Sequence, residues 1–272
     1  MRTGEWIQVV FVGLLALAAW LRKLERARRV RVTLLALAAT AVIAGAFFIA
    51  HWIPPLASSV LLDWLPAVLL LVPYWQVGQF FTAPDPDMEV RLANLDRMLF
   101  RRLGIQPARI PISSGLAACL QLAYVMVYPL VPAALVVLYT TGLRSKVDLY
   151  WLVVLLATYV CFGLTLFVRA LPPRILPGYE TFQLPPTRIG DLNRNILDRA
   201  SIHAITCPSG HVASAVATAL VLLRLEPWVG AFFLWIALSI AASTIVGGYH
   251  YAADVLLAVA IAVLIFAATF CI

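Results

Sequence analysis

Two of the four histidines in this 272-residue chain stand in settings that favour chemistry on an anionic group. His211 ends the run Pro208-Ser209-Gly210-His211, which directly precedes a stretch of small apolar residues. The run predicts the first turn of a helix, where unpaired backbone N–H groups point outward and bind anions. Proline suits that turn, and glycine lets a ligand approach the backbone. The pattern predicts a phosphate cradle beside a titratable side chain, although a helix start with an incidental histidine fits the same residues.

The second histidine, His250, lies four residues before Asp254 and follows Gly247-Gly248. This spacing places both side chains on one face of a helix. An ionisable residue within a membrane segment is costly, and with a partner in reach it indicates function. A carboxylate that accepts from one ring nitrogen fixes the tautomer and leaves the other nitrogen free to attack an electrophile. The pair predicts an activated nucleophile, and a polar pair that only locks two helices is the alternative.

Together the two motifs describe phosphoryl transfer through a phosphohistidine. They contain a nucleophilic histidine with a carboxylate behind it, a second histidine and an anion-binding helix start. The four cysteines, at positions 119, 161, 207 and 271, show no CxxC spacing. Neither a metal site nor a cofactor is therefore predicted.

The elements that position these residues must be membrane helices. The chain is 63% hydrophobic and 12% charged, whereas a soluble domain is roughly 45–50% apolar and about 25% charged. A spanning helix needs roughly 20 apolar residues. The composition excludes a soluble protein and predicts an all-α, polytopic membrane helix bundle with about eight transmembrane helices. The predicted spans are 5–21, 32–54, 57–81, 114–140, 149–170, 209–224, 228–247 and 250–271.

The net charge of +7 is spread between the apolar stretches, which argues against a nucleic-acid partner. Threading eight spans places 16 of the 20 basic residues on one side, with the basic segment 22–31 and the loops 82–113 and 171–208. Positive loops orient toward the cytoplasm, so the active site is expected on the cytoplasmic face of the cell membrane. Residues 86–103 predict an amphipathic helix that lies at the interface or packs on the protein's own loops. The loop 171–208 is expected to be irregular and to belong to the active site.

Pro208-Ser209-Gly210-His211 and the segment from Ser243 through His250 to Asp254 resemble the second and third motifs of the type 2 phosphatidic acid phosphatase superfamily. The resemblance implies integral membrane enzymes with a six-helix catalytic core. Residues 56–272 would form that core, with 1–55 as an N-terminal two-helix membrane addition. It also implies His250 as nucleophile, Asp254 as its orienting partner, His211 as the general acid, and Ser209 and Gly210 as phosphate donors.

Two positions depart from the lipid phosphatases of the superfamily. Their third motif carries an arginine directly after its serine, where this chain has Thr244. Their first motif begins with a lysine that is absent here. The segment 170–174, which ends in Arg174, is instead similar to the branch that contains inositol phosphorylceramide synthases. Arg174 is the first choice for the missing phosphate clamp because guanidinium binds phosphate bidentately, and Arg188 and Arg194 come next. Each could instead only mark the cytoplasmic side.

The sequence thus predicts an integral membrane enzyme that transfers or hydrolyses a phosphoryl group or phospho-headgroup on a lipid phosphate. The partners implied are the bilayer, a lipid phosphate substrate and, for a transferase, an alcohol acceptor. The alternative from another class is a non-catalytic protein that binds or transports lipid phosphates through the same anion site.

Overall fold

The computed structural model describes residues 2–22 and 24–270, which form twelve α-helices, three short 3-10 turns and no strand. The predicted all-α membrane architecture is confirmed. In chain order the helices are α1 (Thr3–Leu21), α2 (Arg26–Ala50), α3 (Pro55–Leu69), α4 (Leu71–Gly78), α5 (Pro86–Arg102), α6 (Ser114–Val125), α7 (Val127–Thr140), α8 (Val147–Thr165), α9 (Arg188–Ala200), α10 (Gly210–Leu225), α11 (Pro227–Val246) and α12 (Ala252–Phe270).

Six helical segments in the described part are long and apolar enough to cross a membrane. They are α1, α2, α3 with α4, α8, α11 and α12. The predicted span 114–140 is instead two helices, α6 and α7, which meet at an angle of 59°. Pro129 explains the break because it has no N–H for the carbonyl of Val125 and its ring crowds that carbonyl.

The remaining predicted span, α10, has only 16 residues and lies at the centre of the bundle. It packs against α7, α8, α11 and α12, and eleven of its residues are buried. Small side chains such as Ala213, Ala215 and Ala217 allow this close approach, as at helix contacts in membranes. The position of α10 brings its N-terminal turn to one end of the bundle, beside the start of α12.

Contacts between helix ends show which loops lie at the end of the bundle that holds the starts of α10 and α12. Arg22 donates to the carbonyl of Leu166 at 2.5 Å, and Arg28 donates to the carbonyls of Gln79 and Phe81 at 3.0 and 2.7 Å. The basic segment 22–31 therefore lies at the same end of the bundle as the loops after α4 and α8. At the opposite end, the buried Asp63 accepts hydrogen bonds from Tyr139 and Arg144, both of which follow the bend in the chain.

The two long loops each contain a helix. The predicted helix at 86–103 is α5, and its buried face, Leu92, Ala93 and Asp96, packs on the protein itself. Leu95, by contrast, is exposed. The expectation of an irregular loop at 171–208 is wrong in part, since residues 188–200 form α9. The Thr187 hydroxyl caps that helix by accepting from the N–H of Gly190.

Candidate active site

The His250 ring faces the Asp254 carboxylate at the start of α12. Nδ1 of His250 lies 3.1 Å from Oδ1 and 3.3 Å from Oδ2 of Asp254, and both residues are buried. The N–H of Tyr251 also donates to Oδ2 at 3.1 Å. Because Nδ1 faces the carboxylate, Nε2 is the nitrogen left for a substrate. The contact between the two side chains follows the predicted spacing of one helical turn.

His211 stands at the start of α10, with its ring centroid 6.4 Å from that of His250. Three tyrosine rings, those of Tyr74, Tyr124 and Tyr128, lie 6.0–6.1 Å from the His211 ring. Nδ1 of His211 is buried and has no hydrogen-bond partner among the described residues. The two histidines that the motifs singled out, 39 positions apart in the chain, are thus neighbours.

Both histidine rings line a pocket of about 220 Å³ at this end of the bundle. Its walls come from α4, α6, α9 and the segments that precede α10 and α12. The lining residues are Tyr74, Tyr124, Pro172, Arg174, Ile175, Leu197, Asp198, Ser201, His203, Ala204, Thr206, His211, Tyr249 and His250.

Arg174 enters this pocket from the segment after α8. Its backbone N–H donates to the carbonyl of Gly248 at 3.1 Å, and its guanidinium carbon lies 4.6 Å from the centroid of the Tyr249 ring. Gly248 has a φ of 64°, and a Cβ there would lie 2.9 Å from Cβ of Arg174. Glycine at 248 therefore serves both the turn and the close approach of the Arg174 segment. Of the three predicted arginines, Arg174 is the one that lines the pocket.

The other two predicted arginines, Arg188 and Arg194, are exposed on α9 and lie outside the pocket lining. Arg194 pairs with Asp191 on the same helix at 3.3 Å. An exposed ion pair of this kind contributes little to stability. Their predicted part in phosphate binding stays a prediction, and the geometry favours Arg174.

Ser209 and Gly210 form the turn that begins α10. The Ser209 hydroxyl accepts from the N–H of Val212 at 3.4 Å, so this side chain is the helix cap. The N–H of Gly210 donates to the hydroxyl of Thr206 at 3.2 Å. A Cβ at position 210 would collide with the ring of Phe162. Packing against that ring therefore explains why position 210 is glycine, which the motif did not reveal. The phosphate-donor roles of Ser209 and Gly210 stay predictions.

A polar network that sequence reasoning missed supports Tyr249. Its hydroxyl donates to Oε1 of Gln121 at 2.8 Å, and the Asn193 amide donates to the same oxygen at 2.7 Å and to the Tyr249 hydroxyl at 2.9 Å. Burial raises the pKa of Tyr249, while the nearby charge of Arg174 opposes the rise. The network joins α6 and α9 to the loop that carries His250, and through Tyr249 it supports Arg174.

Two residues that no motif marked, Asp198 and His203, also line the pocket. His203 has a φ of 54°, an uncommon conformation for a residue other than glycine. Within residues 2–22 and 24–270, no three histidine, cysteine or acidic side chains are grouped closely enough to hold a metal ion. The arrangement places two imidazoles, one of them paired with a carboxylate, and a guanidinium around one small cavity.

A multi-pass helical membrane protein with two histidines and an arginine around one pocket is the class that the fold and the site define. A family model described as the PAP2 superfamily matches residues 91–268, and the chain belongs to that superfamily. No curated protein and no solved structure matches the chain.

Membership supports a lipid phosphatase-like enzyme that acts on lipid phosphates in a membrane. The match begins within α5 and leaves α1 to α4 outside it. The division of the chain at residue 55 and the likeness to the inositol phosphorylceramide synthase branch stay predictions.

Proposed function

We propose that the protein is a metal-independent lipid phosphatase or lipid phosphotransferase that works through a phosphohistidine on His250. The observation that carries the proposal is that His211, Arg174 and His250 line one pocket, with Asp254 paired to the His250 ring. Catalysis of phosphoryl transfer depends mainly on positioned positive charge and hydrogen-bond donors. The guanidinium of Arg174 supplies both, and the dipole at the start of α10 adds partial positive charge.

In the first step, Nε2 of His250 attacks the phosphorus of the lipid phosphate, and an N–P bond forms as the ester P–O bond breaks. His211 donates a proton to the departing alkoxide oxygen, which leaves as an alcohol. Asp254 holds the proton on Nδ1 of His250 and stabilises the cationic ring of the intermediate. In the second step, His211 takes a proton from water or from an alcohol, whose oxygen attacks the phosphorus and releases His250.

The central test is turnover of a panel of lipid phosphates by the purified protein in detergent. We expect His250→Ala to abolish activity and Asp254→Asn to leave a small residue of it, because the orienting group costs less to lose than the nucleophile. The wild type should yield an acid-labile, base-stable phosphoenzyme. His51→Ala is the matched control, since His51 is an exposed histidine at the end of α2 away from the pocket.

Near-wild-type turnover in His250→Ala would overturn the mechanism. Binding of lipid phosphates without turnover by the wild type would instead favour the non-catalytic alternative, a binding or transport protein. Radiolabelled lipid phosphate with candidate alcohols separates the two enzymatic alternatives. Free phosphate indicates a hydrolase, and a labelled new lipid indicates a transferase.

We also propose that the pocket faces the cytoplasm. The basic segment 22–31 supports this orientation because short, positively charged loops remain on the cytoplasmic side. Single cysteines at Ala27 and Asn195, in a background without the native cysteines, should resist a membrane-impermeant thiol reagent applied to intact cells. A cysteine at Ser145, exposed at the opposite end, should react. Labelling at Asn195 with protection at Ser145 would place the pocket outside.

A further inference from the structure

The start of α12 is held by a carboxylate from a distant part of the chain. Asp96, in α5, accepts the N–H of Ala252 through Oδ2 and the N–H of Ala253 through Oδ1, each at 2.9 Å. The Tyr179 hydroxyl donates to Oδ2 of Asp96 at 2.5 Å, and Asp96 is fully buried. The carboxylate satisfies two of the N–H groups that a helix start leaves unpaired, and its charge complements the helix dipole.

The two amide groups that Asp96 binds belong to residues between His250 and Asp254. Asp254, in the same turn, accepts the preceding N–H, that of Tyr251, and faces the His250 ring. The two carboxylates therefore divide the N–H groups of this turn between them. Because Asp96 takes the amides of Ala252 and Ala253, Asp254 remains directed toward His250.

A second acidic side chain of α5 holds the segment that carries Arg174. Glu89 lies seven residues before Asp96, two helical turns away on the same face. Its Oε1 accepts the N–H of Leu171 at 2.9 Å, three residues before Arg174. The helix α5 thus contacts the supports of both the nucleophile and the arginine, while neither Glu89 nor Asp96 lines the pocket.

We propose that Asp96 is a positioning residue for the His250–Asp254 pair, and that Glu89 positions the Arg174 segment in the same manner. This inference rests on the proposed function. Asp96 acts through the first turn of α12. Its loss frees two buried N–H groups and loosens the turn that sets the distance between His250 and Asp254. The chemical step should slow, while binding of the lipid phosphate, which depends on Arg174, should not change.

The experiment compares Asp96→Ala, Asp96→Asn and Asp85→Ala in the purified protein with a short-chain phosphatidic acid. Asp85 is a matched control because it also caps a helix, accepting from the N–H groups of Asp87 and Met88 in α5, and is not among the residues that line the pocket. We expect kcat to fall about 10–100-fold in Asp96→Ala with KM within about twofold, in line with the cost of a misplaced catalytic group. Asp96→Asn keeps an acceptor oxygen and should recover part of the loss. Asp85→Ala should keep wild-type kcat.

Hydrogen–deuterium exchange of the peptide 250–256 gives a readout that does not depend on activity. Asp96→Ala should exchange faster there than the wild type, and Asp85→Ala should not. Unchanged exchange would show that Asp96 does not hold the turn, and faster exchange with unchanged kcat would overturn the positioning role. A parallel loss of kcat and of monodisperse protein would indicate a role in folding alone. Wild-type protein inactive on every lipid phosphate would overturn the proposed function. The exchange result would still show whether Asp96 holds the first turn of α12.

Discussion

Replacing Gly248 with alanine should disturb Arg174 without touching either histidine. The φ of 64° at Gly248 is unfavourable for a residue with a Cβ, by about 1–2 kcal/mol. The added Cβ would also lie 2.9 Å from Cβ and 3.2 Å from the backbone nitrogen of Arg174. Because both atoms belong to or adjoin the backbone, the segment must move by roughly half an ångström to restore ordinary contact distances near 3.5 Å.

That displacement moves the guanidinium away from its proposed contact with the phosphate. A charge-assisted hydrogen bond contributes about 1.5–3 kcal/mol, so its loss or weakening should lower kcat/KM by about 10–100-fold. We expect most of this change in KM for a phosphatidic acid substrate, since the proposed contact between Arg174 and the phosphate exists in the ground state as well. The assay is initial-rate kinetics on protein that elutes as a single species.

The control is Gly104→Ala, because Gly104 has a φ of 67° and an added Cβ would meet no described atom within 4 Å. It carries the same conformational cost without the steric contact. In a thermal unfolding assay, Gly104→Ala should lose stability through its conformational cost alone, and Gly248→Ala should lose at least as much because of the steric contact. Gly248→Ala alone should lose affinity for the substrate. Equal kinetics in the two variants would refute the reasoning that close packing at Gly248 positions Arg174.

Three further changes separate the roles of other residues. His211→Ala should lower turnover of an alkyl phosphate by about 10²–10⁴-fold but be partly rescued by a nitrophenyl phosphate, whose leaving oxygen needs no proton; equal loss on both substrates would contradict the acid role. Arg174→Lys should raise KM on the order of tenfold because lysine provides neither the bidentate fork nor the stacking on Tyr249; an unchanged KM would exclude the clamp. Asp63→Ala should lower the unfolding temperature because Arg144 and Tyr139 lose their buried acceptor. The kcat should not change, and a large loss of kcat would indicate coupling between the two ends of the bundle.

The parts of the site that lie within one helical turn could be predicted from the sequence. The spacing of His250 and Asp254 fixes their contact once α12 forms, and the run that ends in His211 marks the start of α10. In both cases the backbone geometry of a single helix determines the result. The two histidines could be assigned to one pocket because the spans place both helix starts at the same end.

Contacts between distant segments could not be predicted in this way. Gln121, Asn193 and Tyr249 form a network across separations of 56 to 128 residues, and no local pattern marks them as partners. Asp96 fits the polar face of an amphipathic helix, yet it is buried because the start of α12 lies against it. The partner of a polar group decides its burial, and that partner is set by the tertiary structure.

Two helix boundaries did carry local signals. Pro129 and Pro132 mark the region of the bend between α6 and α7, since a proline inside a helical pattern ends or kinks it. In α9, Ile189, Leu192 and Ile196 recur at helical spacing after the cap Thr187. Five prolines between positions 172 and 186 favoured an irregular interpretation of the 171–208 loop, although they precede α9 and do not interrupt it.

The charged parts of the pocket are supported differently from the two histidines. His211 and His250 adjoin helices of the bundle, so their separation is set by the packing of α10 against α12. Arg174 lies in a segment without a long helix, and its place depends on Gly248, on Tyr249 and, through Leu171, on Glu89. Substitutions at Glu89, in α9 or in the glycine pair can therefore move Arg174 while the distance between the histidines stays the same. In the proposed function, such substitutions would change how the substrate is bound without rebuilding the nucleophile.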